Sequence, residues 1–291
     1  MNYLTYTYLL TPLHTGASTQ AGNLLGIARE AQTEYPYIPS SSIRGKIRSL
    51  LESNPSVQAE AGTFFGERIK NGNQPTEGEV WFADATLLLF PIASFSHQYL
   101  WITCPLWLSR WNRWLQNPDL TQLIQECKLQ LQDSSKKVVA SVKGKQVFLQ
   151  GAVLKENEIS QLSKLSIKAN YLDVFKEIPN GNGILNLQEK LVILADQDCA
   201  ALVEIGLQRE VRIALKTDEK VVDGGSFRSE EAIPSETVLF FPWGIKANKD
   251  KTPTQTVREL LLEVLNDRLQ FGGLEGLGRG WTENKTVAVK K

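Results

Sequence analysis

The residues best suited to chemistry lie in the stretch Thr11–Arg48, and the chemistry they suit is the binding of phosphate. Three consecutive serines at positions 40–42 offer hydroxyls that can cap a helix, and a helix start presents backbone amides that bind phosphate. Ile43 and Ile47 recur at helical spacing. The basic residues that follow the serines are Arg44, Lys46 and Arg48. The stretch predicts a basic helix start that contacts a polyanion.

A second candidate is the glycine-rich segment Phe271–Trp281, which reads FGGLEGLGRGW. Its Gly276-x-Gly278-x-Gly280 spacing resembles a dinucleotide fingerprint only superficially, because a helix is predicted before it and a strand after it. Closely spaced glycines still let the backbone approach a phosphate, and Arg279 would add a charge-assisted hydrogen bond. A tight helix-to-strand turn that binds nothing is an equally good interpretation.

Histidine and cysteine supply the other candidates for chemistry. His14, beside the end of the first predicted strand, could act as a general base, although a lone histidine there is more often structural. His97 has no predicted partner, and we assign it no role. Cys104, Cys127 and Cys199 are odd in number and far apart, which favours reduced, buried thiols over a disulfide or a zinc site.

Composition limits the classes of protein. The chain has 291 residues, 42% of them hydrophobic, with 32 basic and 32 acidic residues and a net charge of zero. Bulk electrostatics therefore cannot hold a nucleic acid, but a local basic groove can. No apolar run approaches the ~18–20 residues of a membrane span, and the start lacks signal-peptide features. We expect a cytoplasmic protein with no membrane partner.

The elements that must position these residues alternate between strands and helices. The first half is predicted to contain strands at Asn2–Leu10, Glu79–Phe90 and Tyr99–Cys104, a helix near Ile43–Glu52, and helices after Pro105. Tryptophans in the first of those later helices have helical spacing and are predicted to be core rather than base-stacking residues.

The second half adds a hairpin and a closing helix–strand pair. The hairpin is predicted from Arg209–Lys216 and Lys220–Phe227 around a polar turn, and an apolar strand follows at Glu236–Trp243. The order strand, helix, strand, strand, helix, strand indicates an α+β fold, an elaborated ferredoxin-like (RRM-like) core with large insertions. In that core the stretch Thr11–Arg48 and the segment Phe271–Trp281 lie at one face of the sheet and form a single groove.

Four motifs in order carry a resemblance to a known family. They are TPLHTG, YPYIPSSSIRGKIR, GEVWFADATLLLFPI and LQFGGLEGLGRGW. Together they resemble the RAMP superfamily, and within it the backbone subunits of type III-B CRISPR (Cmr) effector complexes. The resemblance covers nearly the whole chain apart from the lysine-rich middle.

The resemblance implies an architecture and a function. It implies a single domain over 1–291, an insertion at approximately 105–190 and a projecting thumb hairpin at approximately 209–227. Several copies would stack along a guide CRISPR RNA, pair it with a complementary target RNA, and contact other Cmr subunits in antiviral defence. Phosphate and 2′-OH contacts would hold the guide while base pairing supplies specificity. By the match, the guide-binding residues are Ser41, Ser42, Arg44, Lys46, Arg48, Gly278 and Arg279.

The sequence departs from the family where target RNA is cut. The matching active-site loop, which includes Gly22, Asn23, Leu24 and Leu25, contains no Asp or Glu. A leucine or a neutral amide cannot act as a general base or attract a cation.

By the match, His14 remains as a catalytic candidate, and either Glu230 or Glu231, with Glu231 preferred, matches a family acid. Just beyond the loop, Glu30 and Glu34 could substitute for the missing aspartate. Mg²⁺ or Mn²⁺ is the expected cofactor if target RNA is cleaved, and no residue is assigned as a metal ligand. Two hypotheses stay open: a guide-binding module, or a metal-dependent endoribonuclease that uses other acids.

Overall fold

The computed structural model describes residues 2–16, 24–58, 61–67, 77–165, 171–179, 184–215, 222–246 and 255–289. The strands are β1 (Asn2–Leu9), β2 (Leu24–Leu25), β3 (Val80–Phe82), β4 (Thr86–Ser94), β5 (Gln98–Thr103), β6 (Val138–Ala140), β7 (Gln146–Leu149), β8 (Ala152–Lys155), β9 (Ile159–Gln161), β10 (Leu191–Leu194), β11 (Gln208–Leu215), β12 (Val222–Ala232), β13 (Val238–Ile245), β14 (Arg268–Gln270) and β15 (Trp281–Val289). The α-helices are α1 (Ser40–Ser53), α2 (Ala61–Phe65), α3 (Pro105–Leu115), α4 (Pro118–Gln132), α5 (Leu187–Lys190), α6 (Asp196–Gly206) and α7 (Gln255–Val264).

The centre of the main sheet has the strand order β15-β1-β13-β4, with every neighbouring pair antiparallel. Helix α1 lies between β1 and β4 along the chain, and α7 lies between β13 and β15. The α+β prediction is confirmed, and this order is compatible with the predicted ferredoxin-like core. The predicted strand Glu79–Phe90 consists of two strands, β3 and β4. Strand β3 pairs antiparallel with β13.

Strand β1 is buried on both faces. Tyr3 and Leu9 belong to the core that contains the apolar side of α1 and α7, whereas Tyr6 and Tyr8 belong to the core beneath α3 and α4. Successive strand residues point to opposite faces, so the threonines between them are also buried. Helices therefore cover the central sheet on both sides.

The sheet continues beyond β4 through β5, β10, β6 and β9. Helices α3 and α4 match the predicted helical region after Pro105, and Trp107 and Trp111 are fully buried. The core interpretation of these tryptophans is confirmed. Cys104, Cys127 and Cys199 are buried and free, as predicted. The domain and insertion boundaries stay a prediction.

A three-stranded sheet forms beside the main sheet. Strands β11 and β12 pair antiparallel from Gln208 opposite Ala232, and the short strand β2 pairs parallel to β12. The predicted hairpin is confirmed, but its second strand extends to Ala232 rather than ending at Phe227. The turn at 216–221 lies outside the described residues. No helix in the described ranges is long and apolar enough to cross a membrane.

Candidate nucleic-acid interface

The stretch after β1 and the glycine-rich segment meet through backbone hydrogen bonds. The Gly273 amide donates to the His14 carbonyl (2.8 Å), and the Gly280 amide donates to the Pro12 carbonyl (2.9 Å). Farther along, Lys46 Nζ of α1 lies 3.2 Å from Glu275 Oε1. The two segments that we predicted to form one groove are therefore adjacent, although they are far apart in sequence.

The glycines of Phe271–Trp281 fall into two groups. Gly272 (φ +81°) and Gly280 (φ +80°) are required by the fold, because a Cβ at Gly272 would lie 2.3 Å from the His14 carbonyl oxygen and one at Gly280 would lie 1.9 Å from the Phe271 carbonyl oxygen. Gly276 and Gly278 have no atom within 4 Å of a built Cβ. The tight-turn interpretation explains the first pair and also Gly278, whose φ of +75° favours glycine; Gly276 and Gly278 still leave accessible backbone.

The start of α1 is capped differently from the prediction. Its N-cap is Pro39 without a side-chain hydrogen bond, and the Ser40 amide donates to Asp84 Oδ1 at 2.6 Å. The Ser42 and Ile43 amides donate to the Pro39 carbonyl. The expected serine cap is wrong because an aspartate distant in sequence takes that place, and these amides are not open to phosphate.

The exposed face of α1 consists of small side chains. Ser41, Gly45 and Ser49 are exposed at four-residue spacing, and Ser42 is half-buried. A Cβ built on Gly45 meets no atom within 4 Å, and its φ is not in the left-handed region. Glycine inside a helix destabilises it by about 0.5–1 kcal/mol relative to alanine. No contact among the described residues requires glycine at this position.

The three basic residues of α1 have different partners. Arg44 Nη1 donates to the Val80 carbonyl (2.8 Å), Arg44 Nη2 donates to the Phe65 carbonyl (2.6 Å), and the guanidinium lies 5.3 Å from the Phe65 ring centroid. Burial, and then the charge of Arg48, lower the pKa of Arg44. Arg48 pairs with Glu52 at 2.8 Å, one turn along. Lys46 therefore lies nearest to the glycine-rich segment, and Arg44 contacts the protein itself.

The His14 side chain is buried, and a hydrogen bond fixes the orientation of its ring. Its Nδ1 lies 2.8 Å from the Glu231 backbone carbonyl, and because a carbonyl only accepts, Nδ1 carries the hydrogen. In the neutral ring Nε2 is then an acceptor. The carbon next to Nε2, Cδ2, is 3.6 Å from a Cβ built on Gly273. His14 and Glu231, the two predicted catalytic candidates, are therefore in contact. His14 contacts the backbone carbonyl of Glu231 and not its carboxylate.

The Glu231 carboxylate is buried beneath two arginines. Arg29 Nη2 contacts both of its oxygens at 3.0 Å, and Arg209 Nε and Nη2 each contact Oε1 at 3.2 Å. Only 3% of its side chain is exposed. Burial opposes the charge of Arg29, but hydrogen bonds and charges from Glu204 and Glu231 outweigh it and raise the pKa of Arg29.

Neighbouring residues of the hairpin repeat this pattern. The Glu230 carboxylate is also buried, and it accepts from Arg212 Nε (2.6 Å) and Arg228 Nε (3.1 Å). Arg279, predicted to contact a ligand, is 6% exposed and donates to Glu210 Oε2 at 2.6 Å. That hydrogen bond lowers the pKa of Glu210. Arg279 therefore joins the glycine-rich segment to the hairpin.

The active-site loop is described only in part. Leu24 and Leu25 form β2 and lie opposite Ser229 and Glu230 of β12. Gly22 and Asn23 fall outside the described residues. Among described side chains, no group of three or more His, Cys, Asp or Glu is placed to hold a metal ion. Glu230 and Glu231 do not fit Mg²⁺ or Mn²⁺, because two guanidinium groups already neutralise each carboxylate.

Sequence reasoning missed the partners of the predicted residues. Asp84, Glu204, Glu210 and Glu275 come from elements far along the chain from the groups that they bind. Arg29 is adjacent to the predicted loop but was given no role. A signal in the sequence was the cluster of charged residues in β11, where Arg209, Glu210 and Arg212 fall within four positions.

Comparisons with known proteins agree with this architecture. The CRISPR system Cmr endoribonuclease Cmr4 of Pyrococcus furiosus is 26% identical over 284 residues, covering 97% of this chain and 94% of the relative. A type III-B Cmr-beta structure bound to cognate target RNA matches with a TM-score of 0.75 and 22% identity, covering 98% of this chain and 97% of that chain. Oligomeric Cmr4 from Pyrococcus furiosus matches with a TM-score of 0.65 and 22% identity over 100% of both chains.

These structural matches describe the fold. The family itself is given by a sequence model of the RAMP superfamily, which matches residues 8–283. The match runs from the end of β1 to the start of β15 and includes both groove segments and the hairpin, so the resemblance predicted from the sequence motifs is confirmed. The chain belongs to the RAMP superfamily.

Proposed function

We propose that this protein is a guide-RNA-binding backbone subunit of a type III-B CRISPR complex, acting in the cytoplasm with other Cmr subunits. The observation that carries the proposal is the surface where the bare face of α1, around Gly45 and Lys46, adjoins the open glycines Gly276 and Gly278. The names of the similar proteins, a Cmr subunit and a Cmr assembly bound to target RNA, support it.

The surface suits contact with an RNA backbone rather than with bases in a defined sequence. Hydroxyls of Ser41 and Ser42 can donate to phosphate or 2′-OH oxygens, and Lys46 supplies positive charge that Glu275 holds in place. Gly276 and Gly278 have no side chains, so the RNA can approach the protein backbone there. Such contacts fix position but carry no sequence information. Specificity then comes from pairing between guide and target RNA.

Several copies would line one guide. The oligomeric relative supports self-association, and β11 and β12 form a hairpin anchored beside the groove. Val211 and Ile213 of that hairpin are exposed, which fits an element that contacts a neighbouring copy or the RNA.

Lys46→Ala tests the proposal. Fluorescence anisotropy with labelled guide-length RNA over a series of salt concentrations should show weaker binding and a log–log salt slope that is smaller by about one unit, the loss of one phosphate contact. Lys285→Ala is the matched control, since Lys285 belongs to β15, outside both groove segments, and pairs with Glu177. Equal affinities and slopes for wild type and K46A would contradict the groove, and no binding by wild type would contradict the function.

A second candidate function is metal-dependent cleavage of the target RNA. It is favoured by His14, whose Nδ1–H is fixed by the Glu231 carbonyl so that Nε2 is available as an acceptor, and by the name of the Pyrococcus relative. The test is a reconstituted complex with end-labelled target RNA and Mg²⁺ or Mn²⁺, with and without a chelator. Regularly spaced products that H14A abolishes would support cleavage by this subunit. Target RNA that is bound but intact would support the binding module.

A further inference from the structure

Trp281, the first residue of β15, differs from the other tryptophans of the chain. All seven lie within the described residues. Four are fully buried, and Trp81 and Trp114 are half-buried and contact each other, with ring centroids 6.1 Å apart and an interplanar angle of 33°. The side chain of Trp281 is 42% exposed. The fold buries its other tryptophans but leaves this large apolar ring open.

The backbone of Trp281 is held firmly. Its amide donates to Thr11 Oγ1 (3.0 Å), and its carbonyl accepts from the amides of Leu10 (2.8 Å) and Thr11 (3.3 Å). It also lies opposite Gln270 in the β14–β15 pair. An aromatic ring on a fixed backbone loses little conformational entropy when it binds a ligand.

The position of Trp281 relates it to the groove. It directly follows Gly278 and Gly280, and it bonds to Thr11, where the other groove segment begins. Leu277, three residues before Gly280, is 49% exposed. Between these two apolar side chains lie the exposed Gly278 and two buried residues, Arg279 and Gly280. Two separate apolar groups in polar surroundings suit individual flat ligands better than a protein interface, whose core is a contiguous apolar patch.

We infer that the Trp281 ring stacks on an unpaired nucleobase of the bound RNA. The inference rests on the proposed function, and it adds a base contact to a surface otherwise built for phosphate and ribose. Stacking on an aromatic side chain accepts any base, because every base has a π-face. Trp281 therefore strengthens RNA binding without making it sequence-specific.

The experiment measures the affinity of wild type, W281A, W281F and W114A for fluorescein-labelled single-stranded RNA by anisotropy. W281A should bind about 5- to 140-fold more weakly, which corresponds to roughly 1–3 kcal/mol at tenfold per 1.4 kcal/mol. W281F should retain most of the affinity, and W114A should equal wild type. The salt slope of W281A should match that of wild type, because no charge is lost.

A second arm uses wild-type protein, so it does not depend on the folding of a variant. RNA of the same length with abasic sites should bind wild type more weakly than normal RNA, and W281A should discriminate less between the two. Equal binding of normal RNA by wild type and W281A would overturn the inference. So would loss of self-association in W281A with unchanged RNA affinity, which would place a protein on the ring. No RNA binding by wild type would instead overturn the proposed function.

Discussion

At the scale of single residues, the backbone conformation of a glycine and the space around it together separate a conformational role from a binding role. Gly272 and Gly280 combine positive φ with a neighbouring carbonyl that a Cβ would strike. Gly45 has neither feature, yet it lies inside a helix, where glycine is unfavourable. A position that costs stability without a structural reason is typical of a functional surface.

Gly45→Ala should therefore stabilise the protein and weaken RNA binding. We expect about 0.5–1 kcal/mol of added stability from helix propensity, and reduced affinity because a methyl group stands where the RNA backbone approaches. Urea unfolding and RNA anisotropy measure the two effects. Gly151→Ala is the control, since Gly151 is equally open but lies between β7 and β8. Unchanged RNA affinity in G45A would contradict contact at this face.

Arg44 and Arg48 look equivalent in the sequence, but their contacts differ. Arg44→Ala removes two charge-assisted hydrogen bonds to the backbone carbonyls of the buried residues Val80 and Phe65. It should therefore lower the free energy of unfolding by about 1–3 kcal/mol. Arg48→Ala removes one pair within a helix and should lower it by about 0.3–0.5 kcal/mol. Urea denaturation compares the two variants. Equal losses would show that the Arg44 contacts add nothing beyond a surface pair.

At the scale of elements, charge fixes the hairpin against the body of the protein. Arg29 follows β2, Glu204 belongs to α6, Arg209 to β11 and Glu231 to β12, and these four side chains form one network. Removing Glu231 would leave Arg29 and Arg209 with only the exposed Glu204 as a carboxylate partner in this network. The orientation of the hairpin therefore depends on residues from four segments of the chain.

Glu231→Ala should lower the free energy of unfolding by about 1–3 kcal/mol, because hydrogen bonds from two arginines to a buried carboxylate are lost. Glu177→Ala, which breaks the exposed pair with Lys285, should change it by about 1 kcal/mol at most. Urea unfolding gives both values, and hydrogen exchange of β11 and β12 should rise in E231A. If E231A were as stable as E177A, with the hairpin equally protected, the network would not anchor it.

Helix starts show why some element-scale details could not be predicted. The amide of Ser40 in α1 binds Asp84, and the amide of Leu106 in α3 binds Asp196 of another helix at 2.9 Å. Sequence reasoning looks for a cap directly before a helix. Asp84 and Asp196 come close to these helix starts only in the folded protein. The two helices could therefore be predicted from the sequence, but their capping residues could not.

At the scale of the whole molecule, the strand order was accessible from the sequence and the burial of the sheet was not. Thr5 and Thr7 alternate with apolar residues along β1, as in a strand with one polar face, but both are fully buried. Thr5 Oγ1 accepts from Trp243 Nε1 at 2.9 Å and bonds to Thr286 at 2.8 Å. Helices lie on both sides of the sheet, so these threonines face a core that local periodicity cannot reveal. The groove could be predicted because one of its segments follows β1 and the other precedes β15, and these two strands are neighbours in the sheet. The ion pairs at the groove could not be predicted, because they join elements that are distant in sequence.

The central claim is that copies of this chain bind side by side along one guide RNA. Native mass spectrometry of the protein with single-stranded RNAs of increasing length tests it directly, because each complex reports the number of protein copies. We predict that the number rises in whole steps at a regular interval of nucleotides, and that K46A shifts every step to higher protein concentration. One copy per RNA at every length, or no RNA complex at all, would contradict the account.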